Sequence, residues 1–366
     1  MTARWQVWAL GGVQAAQKAR ASLLAVLVGM AVGAAVVAAY GENPFTVYSS
    51  LFQGAFDRYG LPNTLSRAVP VVGAGLAAAV AFRAGFFTLG VEGQMVLGGL
   101  AGALVAIHLP SGAGTLALPA AILAAMVIGA MWSLLAAWFE LRFAVPILLG
   151  TLLMNYPATL FASYLVSGPL GDRVGGVSQT AQVPDAVRLG ELAAGTRLNV
   201  GALAILVIVV ALAYALSRTS GGYEVRMTGL NANFSRYGGV EVRRVGYKVM
   251  LASGLIAGLV GAIQVLGVHY RFIDGALTAP LYAWVGLMAA LLAESNPLGV
   301  LVAGLFFAAL QTGGLEVERT TDLTRELSLI LQSTIIILVA SRYVFRARQR
   351  WRTRERTPAQ AFEETR

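Results

Sequence analysis

The stretch Phe82-Arg-Ala-Gly-Phe-Phe-Thr-Leu-Gly-Val-Glu-Gly-Gln94 places a carboxylate and an amide between glycines, inside an otherwise apolar chain. Glycines break helices, and the backbone groups freed by a break find no water in the hydrocarbon of a bilayer. Such a break is tolerated only where it faces protein or a water-filled pathway. The stretch therefore predicts an interrupted helix beside a route through a membrane.

The composition places the chain among membrane proteins. It has 366 residues, of which 57% are hydrophobic and 12% charged, against about 25% charged residues in soluble domains. The absence of cysteine excludes disulfides and thiolate metal sites, and two histidines cannot form a multi-histidine metal centre. The net charge of +9 comes from basic residues beside apolar segments. Membrane orientation explains this placement better than binding of nucleic acid.

Apolar runs recur along almost the whole chain and predict an all-α, polytopic membrane protein of about ten transmembrane helices, within a range of eight to ten. The first run has 20 residues, longer than the 7–15 of a signal-peptide core, so we expect an uncleaved first helix. The ten segments are Ala21–Tyr40, Ala68–Phe82, Gln94–Leu109, Leu116–Phe139, Ala144–Val166, Val200–Leu216, Val249–Val268, Leu281–Leu292, Leu298–Leu310 and Leu327–Val344.

Basic residues predict the orientation. If the N-terminus is cytoplasmic and all ten segments cross, 19 of the 27 lysines and arginines lie on the cytoplasmic side, as the positive-inside rule requires. We therefore predict a cytoplasmic segment 1–20, a transmembrane domain 21–344 with a cytoplasmic loop 217–248, and a basic cytoplasmic tail 345–366. The arginines of this tail favour contact with anionic lipid.

Four of the segments are short for a spanning helix: the second, third, eighth and ninth have 15, 16, 12 and 13 residues, against about 17–25. They form two pairs, hinged at Arg83–Gly93 and at Ala293–Pro297, and each pair either crosses fully or forms a re-entrant hairpin. Short segments at corresponding positions in two halves indicate a transport site. Phe272–Pro280, before the second pair, resembles Phe86–Gly93 and indicates a weak internal repeat.

Three polar side chains near these breaks are candidates for contact with a solute, and two of them, Glu92 and Asn155, also have a structural interpretation. Glu92 and Gln94 could offer hydrogen bonds to a polar solute, or Glu92 could satisfy N–H groups freed at the break. Asn155-Tyr-Pro157 interrupts the fifth segment, and Asn155 could repair the defect made by proline or face the solute.

The loop 217–248 contains a predicted short helix over Asn231–Tyr237, with Asn231 as the N-cap and Gly238 as the stop. Its exposed Phe234, Arg236 and Tyr237 would suit docking of a soluble partner in the cytoplasm. An ordinary amphipathic helix at the membrane interface explains the same pattern.

The chain has two lysines, and neither lies in a G-x-x-x-x-G-K-[ST] phosphate-binding loop. The long segments also lack clear ionisable residues for a proton or sodium relay. A transporter built on this chain would therefore draw its energy from another chain. An ion-coupled carrier acting alone and a polytopic membrane enzyme are alternatives, although we find no convincing catalytic cluster.

Four groups of residues carry a resemblance to a known family: Phe87-Thr-Leu-Gly-Val-Glu-Gly-Gln94, Asn155-Tyr156, Gly229-Leu-Asn231 with Arg236-Tyr-Gly-Gly-Val240, and Asn296-Pro-Leu-Gly299. They resemble the permease subunits of bacterial ABC importers in the superfamily of branched-chain amino acid and ribose permeases. The similarity is greatest to the nucleoside branch, also called "simple sugar" permeases, which works with basic-membrane-protein lipoproteins. It extends from about Leu65 to Val339.

The resemblance implies a non-enzymatic permease subunit of the bacterial inner membrane, crossing it many times, with both termini cytoplasmic. It would share its pore with a second, related permease subunit, be driven by a cytoplasmic ABC ATPase, and receive solute from an extracytoplasmic lipoprotein. No cofactor is expected on this chain, since the partner subunits use the ATP. Membrane lipids are expected partners and nucleic acid is not.

The implied solute is a nucleoside, with a sugar or a branched-chain amino acid as the alternative. Polar groups and flat aromatic rings near the breaks would border its pathway: Phe86, Phe87, Glu92, Gln94, Asn155, Tyr156, Tyr282 and Trp284. Residues of the cytoplasmic loop would couple the subunit to the ATPase: Gly229, Asn231, Asn233, Phe234, Arg236, Tyr237 and Gly238.

Overall fold

The computed structural model describes residues 27–320, apart from residues 29, 40, 110–115, 144, 173–175 and 193–195. Regular structure in this part of the chain is helical, so the predicted all-α class is confirmed there. The segment 1–20, the tenth apolar run Leu327–Val344 and the basic tail 345–366 lie outside the described residues.

Twelve α-helices occupy the described residues, and their order follows the predicted segments. They are α1 (Met30–Ala39), α2 (Pro44–Phe56), α3 (Gly60–Arg83), α4 (Val91–His108), α5 (Ala117–Phe143), α6 (Ile147–Ser167), α7 (Gly201–Arg218), α8 (Ser220–Leu230), α9 (Ala232–Tyr237), α10 (Val242–Gln264), α11 (Tyr282–Leu292) and α12 (Pro297–Thr320). A π-helical turn, Val265–His269, extends α10.

Six described helices are long and apolar enough to cross a membrane, namely α3, α4, α5, α7, α10 with its π-helical turn, and α12. The polytopic class is thereby supported, whereas the count of ten spans is not confirmed. Helix α6 has 21 residues, but Asn155, Tyr156 and Pro157 lower its mean hydropathy. Helices α1 and α11 are apolar and shorter.

The prediction of four short segments is wrong for three of them. Helix α3 has 24 residues, α4 has 18 and α12 has 24, and only α11, with 11 residues, is short. Each apolar run marks only the part of its helix that lacks polar side chains. Helix α3 begins eight residues before the apolar run Ala68–Phe82, and helix α12 continues ten residues beyond the apolar run Leu298–Leu310.

The predicted cytoplasmic loop 217–248 is also more regular than expected. It contains the end of α7, the whole of α8 and α9, and the first seven residues of α10. The break positions agree better with the sequence: α3 ends at Arg83 and α4 begins at Val91, and α11 ends at Leu292 and α12 begins at Pro297.

The chain divides into two compact units, one of residues 1–51 and 314–366, the other of residues 52–313. Among the described residues of the first unit, Val37, Val47 and Val317 form a buried cluster. The second unit contains both helix breaks.

The core of the second unit is built by close approach of α4, α5 and α10 through glycine. A Cβ atom at Gly98 of α4 would lie 2.6 Å from the Cα of Gly258 in α10. A Cβ atom at Gly258 would overlap the carbonyl oxygen of Ala125 in α5. Helices without a Cβ at these positions approach until their backbones touch, as small-xxx-small patterns allow. The spacings Gly98–Gly102 and Gly254–Gly258 therefore serve packing.

Helix α11 packs on α3 in the same manner, and this contact places the second pair of helices against the first. A Cβ atom at Gly286 would lie 2.7 Å from the backbone nitrogen of Gly75 and 2.7 Å from the carbonyl oxygen of Val71. The two helices therefore have a fixed register along their contact.

The polar connection between α6 and α7 is tied to the segment after the π-helical turn. Thr180 N–H donates to the Phe272 carbonyl at 2.9 Å, and Asp274 N–H donates to the Ser178 carbonyl at 3.0 Å. Segment 272–280 thus pairs with this connection, whereas segment 86–93 is bonded to α6. The weak internal repeat is not confirmed.

We predict that Gly258→Ala lowers the thermal unfolding temperature of the purified protein in detergent. The added methyl group collides with the backbone of α5, and overpacking of this kind costs about 1–3 kcal/mol. Gly102→Ala is the matched control, because a Cβ atom there has its nearest neighbour at 3.4 Å, an ordinary contact. Equal unfolding temperatures for the two variants would contradict the close packing.

Candidate functional site

The first break, Ala84–Gly90, joins α3 to α4 through a turn that ends at a glycine. Gly85 has φ of +86°, a left-handed conformation that favours glycine. The N–H of Phe86 turns back to the carbonyl of Ala81 at 3.0 Å and closes the end of α3. The chain then runs without helix until Val91.

Asn155 of α6 holds this break from the side. Its Oδ1 accepts from the N–H of Gly93 at 2.9 Å, and its Nδ2 donates to the carbonyl of Leu89 at 2.8 Å. The side chain is buried, so these bonds satisfy one donor and one acceptor that have no water partner in a membrane. The amide thus joins the break at Leu89 to the first turn of α4 at Gly93.

Two threonines accept from further backbone N–H groups of the break. Thr151, one helical turn before Asn155 in α6, accepts from the N–H of Leu89 at 3.0 Å. Thr88 accepts from the N–H of Gly90 at 3.2 Å. The sequence pattern predicted a role for neither threonine. The spacing of four between Thr151 and Asn155 does place these two residues on one face of a helix.

Glu92 contacts the second pair of helices. Its carboxylate lies near the side chain of Trp284 in α11, and both side chains are half-buried. The N–H groups of Gly90 and Gly93, which Glu92 could have satisfied, are bonded to other side chains. The structure thus brings the first break and α11 together at a charged group.

Gln94 lies deeper than Glu92, with 1% of its surface exposed. Its Oε1 is buried and has no hydrogen-bond partner among the described residues. An unpaired buried carbonyl oxygen is costly and is usually met by water or a ligand.

The predicted aromatic residues are dispersed. The ring of Phe86 is buried against Gly246 of α10, and Phe87 is 49% exposed and packs on Phe82 with ring centres 5.0 Å apart. Tyr282 is buried two residues before Trp284, whereas Tyr156 is 66% exposed. The contacts therefore bring together Glu92 and Trp284, and they join Asn155 to the break.

The second break, Ala293–Asn296, is a tight left-handed turn. Glu294 and Ser295 have φ of 49° and 58°, and the N–H of Ser295 returns to the carbonyl of Ala290 at 2.8 Å. Asn296 accepts from the N–H of Leu298 and begins α12. Arg83, at the end of α3, donates to the carbonyl of Glu294 at 3.3 Å, so the two breaks are bonded to each other.

The segment α8–α9 has the predicted short helix, α9, with the predicted caps. Asn231 Oδ1 accepts from the N–H groups of Asn233 and Phe234, each at 3.0 Å, and Gly238 ends the helix. Phe234 is 62% and Tyr237 92% exposed, and Arg236 is exposed as well.

The comparisons with known proteins decide the family. Residues 60–340 match the model of the branched-chain amino acid transport system / permease component family. This chain belongs to that family. It is a membrane permease, the transport subunit of an ABC system, and it is not the ATPase.

Relatives of this permease are similar over most of their length. It is 34% identical to the glucose ABC transporter permease protein TsgB13 of Haloferax volcanii, over 88% of this chain and 87% of the relative. It is 31% identical to the guanosine ABC transporter permease protein NupP of Bacillus subtilis, over 88% and 93%. It is 25% identical to the nucleoside ABC transporter permease protein NupB of Lactococcus lactis, over 90% and 92%. No solved structure matches the permease.

We predict that Asn155→Ala destabilises the permease by about 1–3 kcal/mol, because it leaves the N–H of Gly93 and the carbonyl of Leu89 unpaired. Thermal unfolding in detergent measures the loss. Asn63→Ala is the control, since the Asn63 side chain is exposed and bonds within its own helix, to the carbonyl of Tyr59. Unchanged stability with reduced transport would instead assign Asn155 to solute contact.

Proposed function

We propose that this permease carries a nucleoside into the cell and that separate ABC ATPase subunits hydrolyse the ATP that drives transport. The observation that carries the proposal is the half-buried carboxylate of Glu92 near the side chain of Trp284, at the place where the beginning of α4 meets α11. A charged group inside a membrane protein is expensive and marks a solute pathway more often than a packed core.

A nucleoside combines hydroxyl groups with a flat base, and the residues around Glu92 suit both parts. The carboxylate accepts hydrogen bonds from ribose hydroxyls, and the indole offers a face for stacking of the base. Gln94 adds a buried oxygen without a bonded partner among the described residues. Two of the relatives are named for guanosine and for nucleosides, which supports the same solute class.

A sugar is the second candidate, because the relative of 34% identity is named for glucose. Glucose presents hydroxyl groups and no aromatic base, so it would use the carboxylate and depend less on stacking. The description of the family keeps a branched-chain amino acid as a third candidate. Direct uptake measurements separate the three.

The proposed assembly contains a cytoplasmic ABC ATPase, a second and related permease subunit, and an extracytoplasmic substrate-binding lipoprotein. The protein would lie in the bacterial inner membrane, surrounded by its lipids, with both termini in the cytoplasm. The exposed face of α9 supports docking of the ATPase on the cytoplasmic side, since Phe234, Arg236 and Tyr237 all face away from the core. Gly229, Asn231, Asn233 and Gly238 would shape and cap this docking segment.

We predict ATP-dependent uptake of purine or pyrimidine nucleosides, in preference to glucose, ribose and leucine, by the complete transporter in proteoliposomes. Trp284→Leu should lower nucleoside uptake about two- to tenfold, since it removes an aromatic face whose stacking contributes about 0.5–1.5 kcal/mol. Trp138→Leu, at an exposed tryptophan of α5, is the control. Preferred uptake of glucose or leucine would reject the nucleoside.

We predict further that a cysteine at Tyr237 reacts with an impermeant maleimide in inside-out vesicles and is protected when the ATPase is bound. The chain has no cysteine of its own, so labelling reports the introduced site alone. Val177→Cys, at an exposed residue between α6 and α7, should react from the opposite side and without protection. Labelling of both sites from one side would overturn the orientation, and equal labelling of Tyr237→Cys with the ATPase present would overturn the docking face.

A further inference from the structure

Arg83 lies at the point where three parts of the second unit meet. It is the last residue of α3 and begins the first break. Its side chain bonds the second break, and its backbone contacts the end of α8. The resemblance and the pattern of apolar residues assigned it no role beyond a cytoplasmic charge.

The backbone contact is made by Gly229, the residue before the end of α8. A Cβ atom at Gly229 would overlap the carbonyl oxygen of Arg83, and it would lie 3.0 Å from the carbonyl carbon. The Cα of Gly229 also lies 3.6 Å from the position of a Cβ at Gly85. This is backbone packed on backbone, so the contact leaves no room for independent movement of α8 toward the end of α3.

The side-chain contact reaches the second break. Arg83 Nη1 donates to the carbonyl oxygen of Glu294 at 3.3 Å, and the guanidinium is half-buried. Glu294 and Ser295 both hold left-handed conformations, which non-glycine residues keep only under constraint from their surroundings. A charge-assisted bond to this turn is one such constraint.

The exposed face of α9 is attached to Gly229 through a short, stiff link. Asn231 ends α8 and caps α9, and its N–H bonds the carbonyl of Met227 at 3.0 Å while its side chain accepts from the first N–H groups of α9. Only Leu230 lies between Gly229 and this double cap. A displacement of α9 is therefore carried to Gly229 and to the Arg83 carbonyl.

We infer that Arg83 is a positioning residue that joins the α8–α9 segment to both helix breaks, with Gly229 contacting its backbone and Glu294 held by its guanidinium. This inference rests on the proposed function, since it assigns the route by which a movement of α9 reaches the site beside Glu92. Contiguous packed groups and hydrogen bonds carry such coupling between distant sites. Arg83 lies between the two breaks and moves with both.

The first experiment compares two glycine substitutions in α8, in the complete transporter with its ATPase, second permease and binding protein. Gly229→Ala should lower the nucleoside transported per ATP hydrolysed at least about tenfold, because the methyl group separates α8 from Arg83. Gly221→Ala is matched in helix and in chemistry, and the nearest atom to its Cβ is 4.0 Å away, so its ratio should equal that of the wild type. An unchanged ratio in Gly229→Ala would overturn the inference.

The second experiment separates positioning from a merely structural role. Arg83→Met keeps the length of the side chain and removes the donor, whereas Arg83→Lys keeps a donor and a charge. The transport ratio should fall in Arg83→Met and recover in Arg83→Lys. Arg142→Met, at an exposed arginine in the last turn of α5, should leave the ratio unchanged. Equal ratios in Arg83→Met and the wild type would overturn the role of the guanidinium.

A nucleotide-dependent readout keeps the inference independent of the solute. With Ser295→Cys in the second break, binding of ATP with vanadate should change the rate of maleimide labelling in the wild-type background and leave it constant with Arg83→Met. If the wild-type complex imports no nucleoside, the proposed function fails. The labelling experiment still tests whether Arg83 connects the α8–α9 segment to the second break. The same change in labelling rate with and without Arg83→Met would overturn the proposed connection through Arg83.

Discussion

The arrangement around the first break depends on one requirement: backbone N–H and carbonyl groups inside a membrane must find partners within the protein. The break frees such groups at Leu89 and Gly93, and Asn155 bonds one from each residue. Thr151 bonds a third group. Helix α6 is therefore fixed against the beginning of α4 by polar contacts, in a protein whose other helices approach mainly through apolar residues and glycine. The polar side chains of α6 are therefore explained by the backbone groups that the break before α4 leaves without helical partners.

Glycine contacts supply the rigid frame on which this break is carried. Helices α4, α5 and α10 touch through their backbones at Gly98, Gly258 and Gly129. Lipid tails are as apolar as leucine, so close packing of backbones, rather than exclusion of water, holds such helices together. A frame packed this tightly moves as a body. Relative movement in the second unit is then expected at the breaks, where the chain leaves the helix and where Glu92 meets Trp284.

Part of the candidate site was predictable from the sequence, because Glu92 and Asn155 are polar residues beside or within apolar segments and are recognisable as such without a structure. Their partners were not. Threonine is common in membrane proteins, and nothing in the neighbouring sequence of Thr88 or Thr151 shows that its hydroxyl bonds the backbone of the break. Arg83 follows an apolar run and fits the positive-inside pattern, so its bond to Glu294, 211 residues later, has no signal in the sequence. The caps of α9 were predictable, since capping by Asn231 involves only its next three residues.

The helical class, the positions of the two breaks and the family of the permease were predictable from the amino-acid sequence alone, whereas helix α6 runs unbroken through Asn155-Tyr-Pro157. The length of an apolar run and the positions of glycine and proline determine where a helix forms or breaks. These effects extend over a few residues, so the neighbouring sequence is enough to predict them. The tertiary structure alone decided how far α3 and α12 extend beyond their apolar runs, because polar residues remain helical when neighbouring helices protect their backbone bonds. It also decided that the two breaks meet at Arg83 and that Glu92 faces Trp284. Those pairs are far apart in the chain, and packing of α3 against α11 brings them together.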